Sequence, residues 1–400
     1  MNVVFISHCD FKGNSAMHIF SIANELSDRG VDSAVVVPDD PTTVQVHGKP
    51  RFSVLPYDDV LSEPLVFADG CGPDLLHAWT PRELVRRICE ELARRYGVPY
   101  IVHLEDNEQV LAEMEMGGRS FEELGALPLP LLDQIVPARC AHPVYYPRFM
   151  SNAAGVTALM DTLFEFKPAR VPGLVFWPGF DVAFTRMQSD RSYRKHLGLQ
   201  DSDLMVMYNG NVHRTNAREV GSLVLAVASL RRRGYPLVLV KTGWNNEYIP
   251  YYKEGRKRGF IMDLGFRPRE EIPRLMLAAD VLVQPGRVGA FNDYRFPSKL
   301  PEFLWSGVPV VLPPTNIGRF LEDDVNCVLL EEGHSLDIAA KLEPLLRDPE
   351  RRRRIGVAGR EFALRDLTWT KATNQLKTFY DEVLAATPAS GIAANKPTTP

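Results

Sequence analysis

Short apolar runs alternate with amphipathic stretches along nearly the whole chain. Residues 3–7 form the first run. Ala16, Ile19, Phe20, Ala23 and Leu26 then recur at helical spacing, Gly30 stops that helix, and residues 34–37 form the next strand. A strand at 75–78 leads to Thr80 and Pro81, a cap followed by proline at the first helical position, and to a helix reaching Gly97. Residues 100–104 read as a buried strand. Residues 113–150 break the rhythm with prolines, methionines and the aromatic group Tyr145, Tyr146 and Phe149, and read as an insertion lining a cleft. Alternation resumes at 155–159 and 173–176.

A second alternating half begins with a strand at 204–209 and a helix from about 218 to 232. Strands follow at 237–241, 281–284 and 308–312, with helices at 270–278, 301–305, 335–347 and 370–384. Continuous apolar strands interleaved with helices predict an α/β protein of two Rossmann-like, doubly wound parallel sheets facing a cleft. The expected divisions are 1–180, 181–367, a helix at 368–386 crossing back to the first domain, and a disordered tail at 387–400. Ligands of such sheets bind outside the carboxyl ends of the strands.

The chain has 400 residues, too many for one ordinary core, and its 45% hydrophobic and 24% charged content is that of a globular protein. A net charge of -4 argues against a nucleic-acid binder, and the basic runs 253–258 and 351–354 read as solvated helix faces. Five scattered cysteines without C-x-x-C spacing predict reduced thiols and a cytoplasmic protein. With no long apolar segment and no signal peptide expected, any membrane contact would be peripheral, at the inner membrane face.

The most informative stretch is 292–311, NDYRFPSKLPEFLWSGVPVV. Ser298 as N-cap, Pro301 in the first turn and Gly307 as stop predict a helix carrying Lys299 and Glu302 on neighbouring surface positions. Helix starts attract anions, and an ammonium adds a full charge, so a phosphate fits beside Lys299. Glu302 would repel that phosphate, but it can accept hydrogen bonds from two adjacent hydroxyls, as on a ribose. The pair suggests a nucleotide; standing alone, it also fits a solvated surface pair.

Four segments together, in this order, resemble a retaining glycosyltransferase of the GT-B architecture, most similar to glycosyltransferase family 4. Residues 297–311 resemble the family's P-S-K-x-x-E-x-x-x-x-G-x-P-V-V. Residues 278–285, AADVLVQP, resemble the strand before its donor loop, and 177–184, WPGFDVAF, its interdomain linker. LTWTKATNQLKTFYDEVL resembles its closing helix. The resemblance covers the chain to about residue 384. It implies that 1–180 is the acceptor side and 181–367 the nucleotide-sugar side, with Lys299 on the diphosphate, Glu302 on the ribose, and Ser298 and Leu300 beside them. It also places the Gly13-Asn14-Ser15 turn beside the diphosphate or acceptor, although the turn equally fits an ordinary N-cap.

Three departures stand out. A glutamate common in the family eight residues before Glu302 is replaced by Tyr294, leaving Asn292 or Asp293 to contact the transferring sugar. The family's diphosphate cations align with Asn211 and Asn216, so that Arg214, Arg218 or Lys241 would have to substitute. A customary His-Asp at a strand end is here Glu105-Asp106. His103 and Glu105 alternate and so share a side of the strand, while Asp106 lies at its end. Glu105 or Asp106 could orient or deprotonate an acceptor hydroxyl, hold the sugar, or simply cap loops.

The expected function is transfer of a sugar from a nucleotide-diphosphate sugar, the co-substrate, to a hydroxyl of a glycan, lipid-linked or small-molecule acceptor. The resemblance implies retention of anomeric configuration. No cofactor is expected, and no His/Cys/Asp cluster has metal spacing. Catalytic roles are assigned to Glu105, Asp106, Asp293 and Lys299. The alternatives are a non-catalytic nucleotide-sugar-binding subunit, suggested by Asn211 and Asn216, and a sugar-nucleotide epimerase. Arg139, Tyr145, Tyr146 and Arg148 could serve an acceptor, a lipid surface or merely a folded loop.

Overall fold

Apolar runs such as Val3-Val4-Phe5-Ile6 have no polar face, and every one of these side chains is fully buried. Only a sheet covered on both sides can hold them. The computed structural model describes residues 1–181 and 192–387. It divides into two units, Met1–Trp177 with the helix Trp369–Ala386, and Pro178–Thr368.

The first unit is built on β1 (Asn2–Ser7), β2 (Asp32–Val37), β3 (Ser53–Pro56), β4 (Leu75–Trp79), β5 (Tyr100–Leu104), β6 (Gly155–Ala158) and β7 (Gly173–Val175). These strands lie parallel in the order β3-β2-β1-β4-β5-β6-β7. The second unit uses β8 (Leu204–Asn209), β9 (Leu237–Thr242), β10 (Ile261–Asp263), β11 (Val281–Val283), β12 (Val310–Leu312) and β13 (Val328–Leu329). Their order is β10-β9-β8-β11-β12-β13, again parallel. The chain reverses direction across each sheet between β1 and β4 and between β8 and β11, and the carboxyl ends there open the crevices of a doubly wound fold.

The last helix returns to the first unit. Leu376, Phe379, Tyr380 and Val383 are buried. A Cβ on Gly155 would lie 2.8 Å from Phe379 Cζ, so glycine lets the helix settle onto β6. The Tyr380 hydroxyl is 2.7 Å from His77 Nδ1.

Several expectations shift. Thr80 is no helix cap: it is buried in a left-handed conformation (φ 87°), and the helix Glu83–Tyr96 begins after Arg82. The first helical amides, of Glu83 and Leu84, donate to the carbonyls of Cys140 and Ala138, which makes a side-chain cap unnecessary. Ser298 is likewise not the cap of its helix, which is Lys299, and no side chain caps that end. The edge strands β3, β10 and β13 are too short for a periodic signal. The helix Pro349–Asp366 was hidden by its four successive arginines, although Ile355, Phe362 and Ala363 form a buried face. Residues 113–150 are largely helical, with short helices at Glu108–Glu115, Phe121–Gly125, Leu129–Ile135 and Tyr145–Asn152. Of the tail expected to be disordered, 387–400, residues 388–400 lie outside the described residues, as do residues 182–184 of the linker resemblance.

Candidate functional site

In the second unit, chemistry gathers at the carboxyl ends of β8, β9 and β11. The turn after β8 and the turn after β9 touch through glycines: Gly243 has φ +84°, and a Cβ there would sit 2.6 Å from the Gly210 carbonyl carbon. Lys299 reaches this turn from the start of the helix Leu300–Trp305. Its ammonium lies 5.1 Å from the Tyr208 ring centroid and 2.5 Å from where a Cβ on Gly210 would be. Among the described residues no carboxylate pairs with it. Burial, followed by the nearby charges of Arg295 and Lys241, pulls Lys299 down to about 7. A half-buried cation flanked by cations is a place that favours an anion.

Glu302, one turn on, is 9% exposed, and its Oε2 is buried without a hydrogen-bond partner. Burial pushes its carboxyl up to about 7, against its own backbone N–H and the charge of Arg269. Arg269 is itself paired with Asp181 at 2.6 Å. The helix has only six residues, so its dipole is small and side-chain charges dominate here. Gly307 (φ +73°) ends it, and its carbonyl lies 1.9 Å from where a Cβ on Gly356 would be. The helix Pro349–Asp366 therefore presses directly on the turn that closes the Lys299/Glu302 segment.

The loop 284–299 is closed from within. Asn292 Nδ2 donates to Glu219 Oε1 at 2.6 Å and to the Arg287 carbonyl at 2.9 Å. Asp293 accepts from the Thr315 hydroxyl and, at 3.2 Å, from Gly289 N–H. Tyr294 and Ser298 are half-buried, and Leu300 is fully buried with its N–H on the Pro297 carbonyl. Arg295 lies 4.5 Å over the Phe291 ring, and its buried Nε has no acceptor.

Neither Asn211 nor Asn216 is idle. Asn211 Oδ1 accepts from Trp244 N–H at 2.9 Å, while Asn216 accepts from His213 N–H at 3.0 Å and donates to the Asn211 carbonyl at 3.0 Å. Lys241 is 1% exposed and donates to the carbonyls of Thr242 and Gly243 at 3.1 and 2.8 Å; burial, eased by Asp263, lowers it to about 8. Arg214 and Arg218 are exposed and form no ion pair among the described residues.

In the first unit, Gly13 opens the helix Asn14–Ser27, and a Cβ there would lie 2.4 Å from Cys9 Sγ, so a side chain at this position would have to displace that thiol. Ser15 and His18 of that helix both bond to Glu105, as does Trp79 Nε1 at 2.9 Å. Burial alone would raise Glu105, but the hydrogen bond and charge of His18 hold it well below the usual carboxylate range. The His103 ring lies tilted 4.0 Å from that of Trp79 and bonds Thr157 at 2.8 Å; burial lowers it to about 3 and keeps it neutral. Asp106 is half-buried beside Glu105 at the end of β5. Arg139 pairs with Glu115, Tyr146 is buried, and Arg86 lies 4.6 Å over Tyr145. Arg148 lines a surface pocket with Arg86, Glu90 and Tyr100.

Residues 218–378 match the family described as Glycosyl transferase-like. The D-inositol 3-phosphate glycosyltransferase of Thermobifida fusca (strain YX) is 26% identical over 311 residues, covering 73% of this chain and 66% of that protein, just under two thirds of its length. Anabaena HepE, solved in complex with UDP and glucose, is similar with a TM-score of 0.70 at 16% identity, over 96% of this chain and 100% of that one. Sucrose-phosphate synthase from Thermosynechococcus elongatus reaches 0.68 at 14% identity, over 97% and 100%. This chain has the GT-B fold.

In this GT-B chain the structure brings Lys299, Glu302, Lys241, Asn211 and Asn292 to the strand ends of the second unit. Glu105, Asp106 and Gly13 gather at the strand ends of the first. A further candidate in the loop 284–299, not singled out from sequence, is Arg295. Its signal was present, a basic residue four positions before Lys299 in the same loop, but nothing local distinguishes it from a solvated arginine. No three His, Cys, Asp or Glu side chains among the described residues are grouped to hold a metal. No helix among them is long and apolar enough to cross a membrane.

Proposed function

We propose that this protein is a glycosyltransferase that moves a sugar from a nucleotide-diphosphate sugar to an acceptor hydroxyl with retention of anomeric configuration. The observation that carries the reading is the pair Lys299 and Glu302. One is a cation without a counter-ion, the other a buried carboxylate oxygen without a donor, and they stand at neighbouring positions where a doubly wound sheet binds its ligands.

In this reading the diphosphate rests on Lys299 and the glycine turn at Gly210. The ribose hydroxyls donate to Glu302, whose orphaned oxygen then gains the partner it lacks. As the bond between the anomeric carbon and the phosphate oxygen breaks, negative charge grows on the leaving diphosphate, and preorganised cations stabilise it. The acceptor oxygen bonds to the anomeric carbon on the face the phosphate leaves, and its proton passes to the departing phosphate oxygen. No protein nucleophile is required. Asn292 and Asp293 border the sugar. Asp106 orients the acceptor hydroxyl, while Glu105, already receiving three hydrogen bonds, positions the helix that carries Ser15 and His18. Side-chain cations rather than a resident metal neutralise the diphosphate.

The acceptor class is a glycan, a lipid-linked molecule or a small metabolite. The compartment is the cytoplasm, in keeping with five free cysteines, with peripheral contact at the inner membrane face. A second reading, a nucleotide-sugar-binding subunit without catalysis, draws on Asn211 and Asn216 standing where cations are expected. The purified chain incubated with a panel of sugar nucleotides decides between them by mass spectrometry. Transfer or donor hydrolysis, insensitive to a chelator and with the product anomer matching the donor by NMR, is expected. Tight nucleotide binding without any turnover would leave the subunit reading, and neither binding nor turnover would remove both.

A further inference from the structure

On the donor-site reading above, a second positive charge is needed beside Lys299. A nucleoside diphosphate carries more negative charge than one lysine neutralises. Asn211 and Asn216 are locked into the turn after β8 by bonds to Trp244, His213 and each other. Lys241 holds two carbonyls at the end of β9. Arg214 and Arg218 are exposed. Arg295 differs from all of these. It shares the loop before the helix with Lys299, packs on Phe291, leaves a buried Nε–H without an acceptor, and pairs with no carboxylate among the described residues. Glu219, an acid that feels the Arg295 charge, bonds instead to Asn292.

We propose that Arg295 is the second diphosphate-binding residue of this chain, its guanidinium fork closing on phosphate oxygens while Phe291 backs its plane. The cation has in effect moved from the turn after β8 to the loop after β11, and the turn after β8 retains only the glycine cradle. A guanidinium suits this position because it keeps its charge while surrounded by other cations and meets phosphate with two parallel hydrogen bonds. Burial lowers Lys299 and His213, and the charge of Arg295 adds to the lowering of both, in keeping with the three sharing one locus.

The test titrates UDP, GDP and ADP, each against its monophosphate, into the full chain by calorimetry. With the diphosphate that binds, Arg295→Ala and Arg295→Gln should weaken affinity about 10- to 100-fold. The monophosphate should change less than about threefold, because only the second phosphate loses its fork. Arg295→Lys should fall between. On the unmodified protein, phenylglyoxal labelling read by peptide mass spectrometry should show Arg295 protected by the diphosphate and not by the monophosphate, a readout independent of how the variants fold. If the diphosphate binds yet Arg295 is labelled freely and both variants keep the original affinities, this inference falls and the donor-site reading stands. If no nucleoside diphosphate binds at all, the donor-site reading falls as well.

Discussion

Lys299 and Glu302 oppose each other in pH. Glu302 is raised from 4.5 to about 7, so between those values the folded, unliganded chain holds more protons than the unfolded chain, and stability falls as pH rises. Lys299 is lowered from 10.5 to about 7, so between 7 and 10.5 the unfolded chain holds more protons, and stability rises with pH. The unliganded protein should therefore be least stable, as far as these two groups contribute, near pH 7, where both are driven toward charge without partners. A nucleoside diphosphate reverses this by giving Lys299 an anion and Glu302 two donors. Affinity should peak near pH 7, declining below as Glu302 protonates and above as Lys299 loses its proton. Glu302→Gln should flatten the acid limb and Lys299→Arg the alkaline one, while Lys299→Ala should depress turnover severely. Calorimetry in buffers of different ionisation enthalpy would show the sign of proton exchange change across that pH; a flat profile in the unsubstituted protein would refute the assignment.

At the scale of elements, close backbone contacts aim these side chains. The helix Leu300–Trp305 is too short to hold itself and takes its position from Gly307 pressed against the helix Pro349–Asp366. Gly356→Ala would drive a methyl to 1.9 Å from the Gly307 carbonyl oxygen. Such overpacking costs about 1–3 kcal/mol, occasionally more, and here must shift the segment bearing Lys299. The expected outcome is a lowered denaturation midpoint together with weakened nucleotide binding. A drop in stability with binding unchanged would show that the short helix is held by something else. Its Lys299/Glu302 arrangement was readable as a pattern, from Pro301, Gly307 and the apolar face Leu300, Phe303 and Leu304. The cap was misread because a cap at Ser298 assumes a side chain must close the helix, whereas the chain enters from a turn in which Leu300 N–H meets the Pro297 carbonyl.

Across the whole molecule, the helix Trp369–Ala386 joins the chain's far end to its first sheet. The Tyr380 hydroxyl meets His77 Nδ1, and His77 Nε2 in turn meets Thr157 at 2.9 Å, which also bonds His103. This buried polar string continues toward Glu105. Tyr380→Phe would leave His77 unsatisfied at a cost of about 1–3 kcal/mol. Calorimetry should show that loss in the unfolding of the first unit, with the second unchanged; an unaltered melt would mean water replaces the hydroxyl.

What the order of residues determined alone was the α/β class and most strand and helix positions, because continuous burial and helical periodicity are written locally. It also marked Lys299 and Glu302, whose types and spacing name their chemistry. Only the tertiary structure decided which charges lack partners. Lys241 is occupied by carbonyls, Asn211 and Asn216 by one another's turn, and Glu105 by three donors, while Arg295 is left with an unmet N–H. Whether a polar group is satisfied depends on neighbours brought from distant parts of the chain, and no local pattern carries that information.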